Sequence, residues 1–279
     1  MKDKIVIITG ANSGIGFETA KALAEQGAQV VMACRDAVRA ESALQALQQA
    51  VPQAQVQLMS LDLASFDSIR AFAESFKSQF KQLDVLVNNA GLFPMTEQKT
   101  TEGFEMQFGV NHLGHFLLTH LLLPELKASG NARVVNVASM MHQLGKIDFE
   151  SFKGEKVYRP LTAYGQSKLA NVLFTRELAK RYADDGVSSF SLHPGGVGTN
   201  IAGRGVLRKT LYRIFGGHMT PKRGAQTSIY LATEPGIEIH SGAYFGQSSN
   251  KKESSKRGQD MAMAQRLWTA SADFAGINQ

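Results

Sequence analysis

Tyr164 and Lys168 stand four residues apart in AYGQSKLANVLF, a stretch whose pattern predicts a helix. Four residues is about one helical turn, so both side chains leave the same face. An ammonium beside a phenol favours the phenolate and draws its pKa down from about 10. A phenol tuned in this way gives and takes a proton near neutral pH, as interconversion of a carbonyl and an alcohol requires. Alone, the pair also has a bland reading, because Tyr and Lys at this spacing are common on solvated helix faces. What surrounds it in the fold decides between the two.

The strongest neighbour is Thr9-Gly10-Ala11-Asn12-Ser13-Gly14-Ile15-Gly16, which follows the apolar run KIVIIT (4–9) and opens a helical pattern to about Gln26. Backbone N–H groups at such a helix start hold a dinucleotide pyrophosphate, and the glycines permit the turn and the close approach. The spacing is Gly-x3-Gly-x-Gly rather than the more general Gly-x-Gly-x-x-Gly. A second run, AQVVMAC (28–34), ends in Cys34-Arg35-Asp36. An acid at this place reads a free ribose 2′-hydroxyl, whereas an Arg reads a 2′-phosphate. Arg35, with Arg39 one turn on, points to NADP(H); Asp36 is the competing sign, for NAD. Asp62-Leu63 ends a third run, where the carboxylate either accepts from the adenine amino group or belongs to the N-cap region of the next helix. Asn88-Asn89-Ala90-Gly91 ends a fourth, with small residues and amides suited to lining a cofactor.

These motifs need a scaffold of strands with helices between them. Strands are predicted at 4–9, 28–34, 55–61, 84–90, 132–139, 186–194 and 241–246, and helices at about 37–50, 66–81 and 101–129. Apolar strands alternating with helices predict an α/β fold: a Rossmann-type doubly wound sheet of about seven parallel strands with helices on both faces. No repeat or linker divides the chain, so a single dinucleotide-binding oxidoreductase domain over 1–279 is expected. Residues 200–217 and 247–260 read as excursions from the sheet, the second a surface loop before a C-terminal helix that ends near 275.

Composition sets outer limits. The 279 residues are 43% hydrophobic and 19% charged, ordinary for a globular chain able to bury a core. Cys34 is the single cysteine, so no internal disulfide or cysteine metal cluster forms, which suits a reducing compartment. His112, His115, His142 and His193 have no metal-ligand spacing. No run of 18 apolar residues occurs; the expectation is a soluble, cytoplasmic protein. The net charge of +6 is dispersed and lacks the aromatic interleaving of a nucleic-acid binder.

Together, TGxxxGIG, NNAG, Asn111 in GVNHLGHF, Ser139 after the fifth strand, Tyr164-x3-Lys168 and Pro194-Gly195 resemble the short-chain dehydrogenase/reductase superfamily over about residues 4–200. Within it the chain looks most like the retinol dehydrogenase-like branch. VVMACRD, DLASFDSIR, FGVNHLGHFLLT and AYGQSKLANVLFTRELAKR carry that match, as does the 25-residue step from Ser139 to Tyr164, filled by MMHQLGKIDFESFKGEKVYRP. The resemblance implies Tyr164 as general acid/base and Lys168 as its tuner and a ligand of the nicotinamide ribose. It implies Ser139 as hydrogen-bond donor to the substrate oxygen, and Asn111 as the residue fixing a helix distortion and a water relay to Lys168. Pro194, Gly195, Val197 and Thr199 would lie beside the nicotinamide. Many NADP-using members carry a basic residue where Ser13 stands, so Arg35 bears more of that reading. The family also implies a homo-oligomer through the helices that carry Asn111 and Tyr164. Membrane-bound retinol dehydrogenases have an N-terminal anchor, whereas this sequence begins at its first strand.

The expected activity is NADP-dependent interconversion of a carbonyl and an alcohol on a lipophilic or aromatic small molecule. Alternatives are carbon–carbon double-bond reduction of the protochlorophyllide reductase type and a non-catalytic NADP-sensing regulator; retention of Asn111, Ser139, Tyr164 and Lys168 favours catalysis. Phe93, Met95, Met140, Met141 and Leu144 are candidates for an apolar pocket wall. The segment 204–219 carries Leu207, Leu211, Ile214 and Phe215 at helical spacing with Arg208, Lys209 and Arg213. It reads as a substrate lid, or as a basic amphipathic helix in peripheral contact with a membrane.

Overall fold

A computed structural model describes residues 1–154, 156–196 and 219–277. Runs rich in Val, Ile and Leu form β1 (Ile5–Thr9), β2 (Gln29–Cys34), β4 (Val85–Asn88) and β5 (Ala132–Val137), β6 (Val187–Leu192) mixes Val, Phe and Leu with three serines, and the more polar β3 (Gln55–Ser60) lies at one edge. Two-residue strands β7 (Tyr244–Phe245) and β8 (Lys251–Lys252) complete one sheet in the order β3-β2-β1-β4-β5-β6-β7-β8. β1 to β7 pair in parallel throughout.

β8 is antiparallel to β7, pairing Tyr244 with Lys252 and Phe245 with Lys251. Residues 247–260 are therefore not wholly outside the sheet, contrary to the sequence expectation. Two exposed lysines carry no apolar signal, and charge is the usual feature of a sheet edge.

Side chains alternate across each strand and feed two cores. Ile7, Val31, Leu86 and Val134 face α3 (Phe66–Gln79), α4 (Gly114–Leu121), α5 (Leu123–Ala128), α6 (Pro160–Arg181) and α8 (Met261–Ala275). Ile8, Val30, Val87 and Val135 face α1 (Gly14–Glu25), α2 (Ala37–Ala50) and α7 (Pro221–Thr233). Each fully buried aliphatic side chain contributes about 1.5–3 kcal/mol, so both faces are needed to hold the sheet.

The expected helix over 101–129 is broken. A turn at Met106–Phe108 runs into a π-helical stretch, Gly109–Leu113, then α4, and the chain restarts at α5 with a proline in its first turn. The strand order reverses between β1 and β4, and ligands of open α/β sheets bind outside the carboxyl ends at such a point. No described helix is long and apolar enough to cross a membrane.

Candidate active site

β1 ends at Thr9, and the chain turns sharply through Gly10 (φ 65°) and Gly14 (φ 59°), a left-handed backbone that suits glycine. A Cβ on Gly10 would lie 3.1 Å from the Cα of Ala90, and one on Gly16 would lie 2.5 Å from Asn89 Nδ2. The glycines thus let α1 start against the end of β4. Ser13 is the N-cap of α1 but makes no side-chain cap, and the first turn has no acidic residue. The N–H groups of Gly14, Ile15 and Gly16 are left for an outside acceptor, so the cradle fits a pyrophosphate.

Asn89 Nδ2 donates to Thr9 O at 2.8 Å, and the N–H groups of Asn89 and Ala90 both donate to Thr9 Oγ1 at 2.9 Å. That hydroxyl lies 2.9 Å from His115 Nε2, while His115 Nδ1 faces the carbonyl of Asn111 at 3.1 Å. A carbonyl only accepts, so Nδ1 holds the proton and Nε2 accepts from Thr9. Burial presses the His115 pKa down to about 4, which keeps this tautomer neutral. Thr9 and His115 therefore bind the ends of β1 and β4 to the Asn111 turn, a role that the sequence did not show for either.

At the end of β2, Asp36 caps α2, accepting from Arg39 N at 3.1 Å and lying 3.3 Å from Arg39 Nε. Its carboxylate is engaged by its own helix. Arg35 remains 65% exposed in its side chain, with Nη1 3.9 Å from Asp62 Oδ1. Asp62 accepts from Ala64 N at 3.0 Å, and the N-cap of α3 is Ser65, so Asp62 is not that cap. Leu63 is buried against Gly114, and Gly91 is half-buried near the start of the loop after β4.

Ser139 follows β5 and caps a 3₁₀ turn, Met140–Gln143, its Oγ accepting from Met141 N at 3.2 Å. Its side chain acts on the Tyr164 phenol, lowering its pKa. Tyr164 and Lys168 lie on α6, both buried, with Lys168 Nζ 5.6 Å from the phenol ring centroid and donating to Val137 O at 2.9 Å. Phe93 meets Tyr164 edge-on at 5.1 Å. Asn111 sits inside the π-helical stretch, where the expected distortion occurs. It brackets Leu92 through both backbone groups at 2.9 and 3.1 Å, and its Nδ2 donates to Ser167 Oγ at 3.1 Å. Ser167 in turn donates to Tyr164 O at 2.9 Å.

The electrostatics differ from the sequence expectation. Burial pushes Tyr164 up to about 12, with Ser139 opposing it. Burial also brings Lys168 down to about 8. Desolvation thus outweighs the tuning by Lys168 in the protein alone.

Pro194 and Gly195 follow β6. Gly195 is left-handed (φ 88°), and its N–H donates to His193 Nδ1 at 3.1 Å. Val197, Thr199, the expected lid at 200–217 and its apolar stripe lie outside the described residues. Of the pocket-wall candidates Phe93 is buried and Met141 half-buried, whereas Met95, Met140 and Leu144 are exposed.

A family model described as short chain dehydrogenase matches residues 4–206. The chain belongs to the short-chain dehydrogenase family. Among its relatives, retinol dehydrogenase 12 of Bos taurus is 49% identical over 98% of this chain and 87% of that protein. Retinol dehydrogenase 11 of Mus musculus is 47% identical over the same shares. A solved structure from Mycobacterium paratuberculosis, a protein of unassigned function, is 36% identical with a TM-score of 0.81 over 99% of this chain and 95% of that one. The chain is thus a retinol dehydrogenase-like oxidoreductase. Short-chain dehydrogenases use nicotinamide cofactors.

Proposed function

We propose that this short-chain dehydrogenase interconverts a carbonyl and an alcohol on a lipophilic or aromatic small molecule, with NADP(H) as cofactor and Tyr164 as general acid/base. The observation that carries the reading is a buried Tyr164 with Ser139 acting on its phenol and Lys168 beside it, at the sheet end where α1 opens uncapped. NADPH, when bound, supplies the hydride. Tyr164, protonated at neutral pH, gives its proton to the substrate oxygen in reduction, and Ser139 donates to the same oxygen as charge develops. Arg35 and Arg39 present charged heads to a 2′-phosphate, while the Asp36 carboxylate is occupied at its helix cap.

The substrate class rests on apolar surface. Met140 and Leu144, after Ser139, and Val157 and Leu161, before Tyr164, are exposed, as is Met95 on the loop after β4. That loop meets the segment before Tyr164 where Tyr158 OH donates to Pro94 O at 2.7 Å. Such a rim is favourable only against an apolar partner, and the relatives named retinol dehydrogenases agree with a lipophilic alcohol or aldehyde. The test is NADPH oxidation with aldehydes and ketones of graded chain length. Turnover that improves with apolar length is expected. Tight NADPH binding without turnover of any carbonyl would overturn the reading.

A further inference from the structure

Ser139 does not hold its place unaided. Its carbonyl receives two donors from His142, the backbone N–H at 3.1 Å and the ring Nδ1 at 2.7 Å. A carbonyl only accepts, so Nδ1 carries the proton. On the other side of the ring, Nε2 lies 3.1 Å from the backbone N–H of Ser255, which only donates. The neutral Nδ1–H tautomer satisfies both partners at once. His142 is fully buried, its ring packs 4.7 Å from that of Tyr244 on β7, and burial holds its pKa below the ordinary imidazole range.

A second tie lies at the far end of the same turn. Arg257 Nη1 donates to Gly145 O at 2.9 Å, and Gly145 packs on the α6 backbone at Gly165, the residue after Tyr164. The stretch around Ser255 and Arg257, which reads as surface loop in the sequence, therefore grips the turn that begins at Ser139. A hydroxyl donor to a reacting oxygen works only when held close to its productive geometry. The Ser139 carbonyl and its hydroxyl, which accepts from Met141 N, belong to that one turn.

We propose that His142 is a positioning residue for the reaction: its Nδ1–H, anchored from behind by Ser255, fixes Ser139 against Tyr164. This inference rests on the carbonyl reductase reading given above. Two substitutions divide the ring's two bonds. His142→Asn keeps a donor where Nδ1 stands and loses the acceptor for Ser255; His142→Gln keeps an acceptor near Nε2 and loses the donor to Ser139.

The experiment measures kcat and KM for an aldehyde and the NADPH dissociation constant in the full chain, with and without Ser139→Ala. Hydrogen exchange at the Met141 amide, which Ser139 Oγ accepts, is measured alongside. His142→Gln is expected to lower kcat about tenfold or more, with NADPH binding within about twofold, and to speed Met141 exchange. His142→Asn should restore most of the turnover. In the Ser139→Ala background, His142→Gln should add less than about a twofold loss, because its route of action is already gone. Equal losses in both backgrounds, or His142→Asn worse than His142→Gln, would overturn the inference. If the wild-type chain reduces no carbonyl, the functional reading fails separately, and unchanged Met141 exchange in His142→Gln would still overturn the role of His142.

Discussion

Tyr164 shows how far a residue pair differs from its spacing. The one-turn step to Lys168 is legible in the sequence; the desolvation around it is not, because burial depends on Phe93, Ser139 and the whole of α6 closing over the phenol. With burial pushing the phenol to about 12, the protonated acid needed for reduction persists across the physiological range. Oxidation needs the phenolate and so rises with pH. The absorbance difference at 295 nm between wild type and Tyr164→Phe should therefore stay flat from pH 6 to 10 in the protein alone. Adding NADP⁺ brings a positive ring charge and should move the titration downward. A phenolate already formed at pH 8 without cofactor would show that Lys168 outweighs burial after all. Tyr164→Phe itself should keep NADPH binding and lose about 10²–10⁴-fold in turnover, the usual worth of general acid–base catalysis. Arg35 carries a separate expectation at this scale. Arg35→Ala should weaken NADPH roughly 10–150-fold, the loss of a charged hydrogen-bond partner, and leave NADH nearly unchanged. Equal weakening of both in a binding titration would make Arg35 a structural residue.

At the scale of elements, the strands and helices around the glycine loop were legible because their periods are clean. α2 lies at the predicted 37–50, and β1 to β6 fall within their predicted runs. The π-helical stretch was legible only through Asn111 and the family resemblance, since apolar periodicity runs unbroken through GVNHLGHFLL while the backbone does not. β8 was not legible because it rests on backbone pairing rather than on residue type, and the grip of its following loop on the Ser139 turn was not because the His142 ring and the Arg257 guanidinium meet partners far away in the sequence. α8 illustrates packing that sequence leaves unspecified. Its Trp268 stacks on Phe174 of α6, meets Phe116 of α4 edge-on, and lies 4.7 Å beneath the Arg181 guanidinium. Truncating a buried aromatic of this kind costs about 3–5 kcal/mol. Trp268→Ala should lower the urea midpoint accordingly, read by circular dichroism because Trp268 is the only tryptophan. A loss under 1 kcal/mol would mean that α8 merely rests on the domain.

At the scale of the molecule, α8 packs on α4 and α6, and most of α6 is buried by its own chain. The same dense packing makes the fold sensitive to acid. Burial presses His112 to about 3, and His115 and His193 to about 4, with His120 and His142 lowered in the same direction. In the unfolded chain each imidazole takes its proton near 6.5. Between those values the unfolded state holds more protons than the folded one, so stability is full above about pH 6.5 and is lost as pH falls toward 4. Glu105, a buried carboxyl raised above its ordinary value, works in the opposite sense just above pH 4.5, one group against five. Asp84, lowered by its bonds to Lys4, Ile5 and Ser129, withdraws its contribution only below about pH 4. The melting temperature is therefore expected to fall steadily from pH 6.5 to 4.5. His112→Gln, which removes the most strongly shifted proton site, should flatten that slope whatever it does to stability at pH 7. A melting temperature constant over this range would show that the folded chain accepts protons on these rings, and that the neutral His115 link between Thr9 and Asn111 is not what holds the cofactor end of the sheet together.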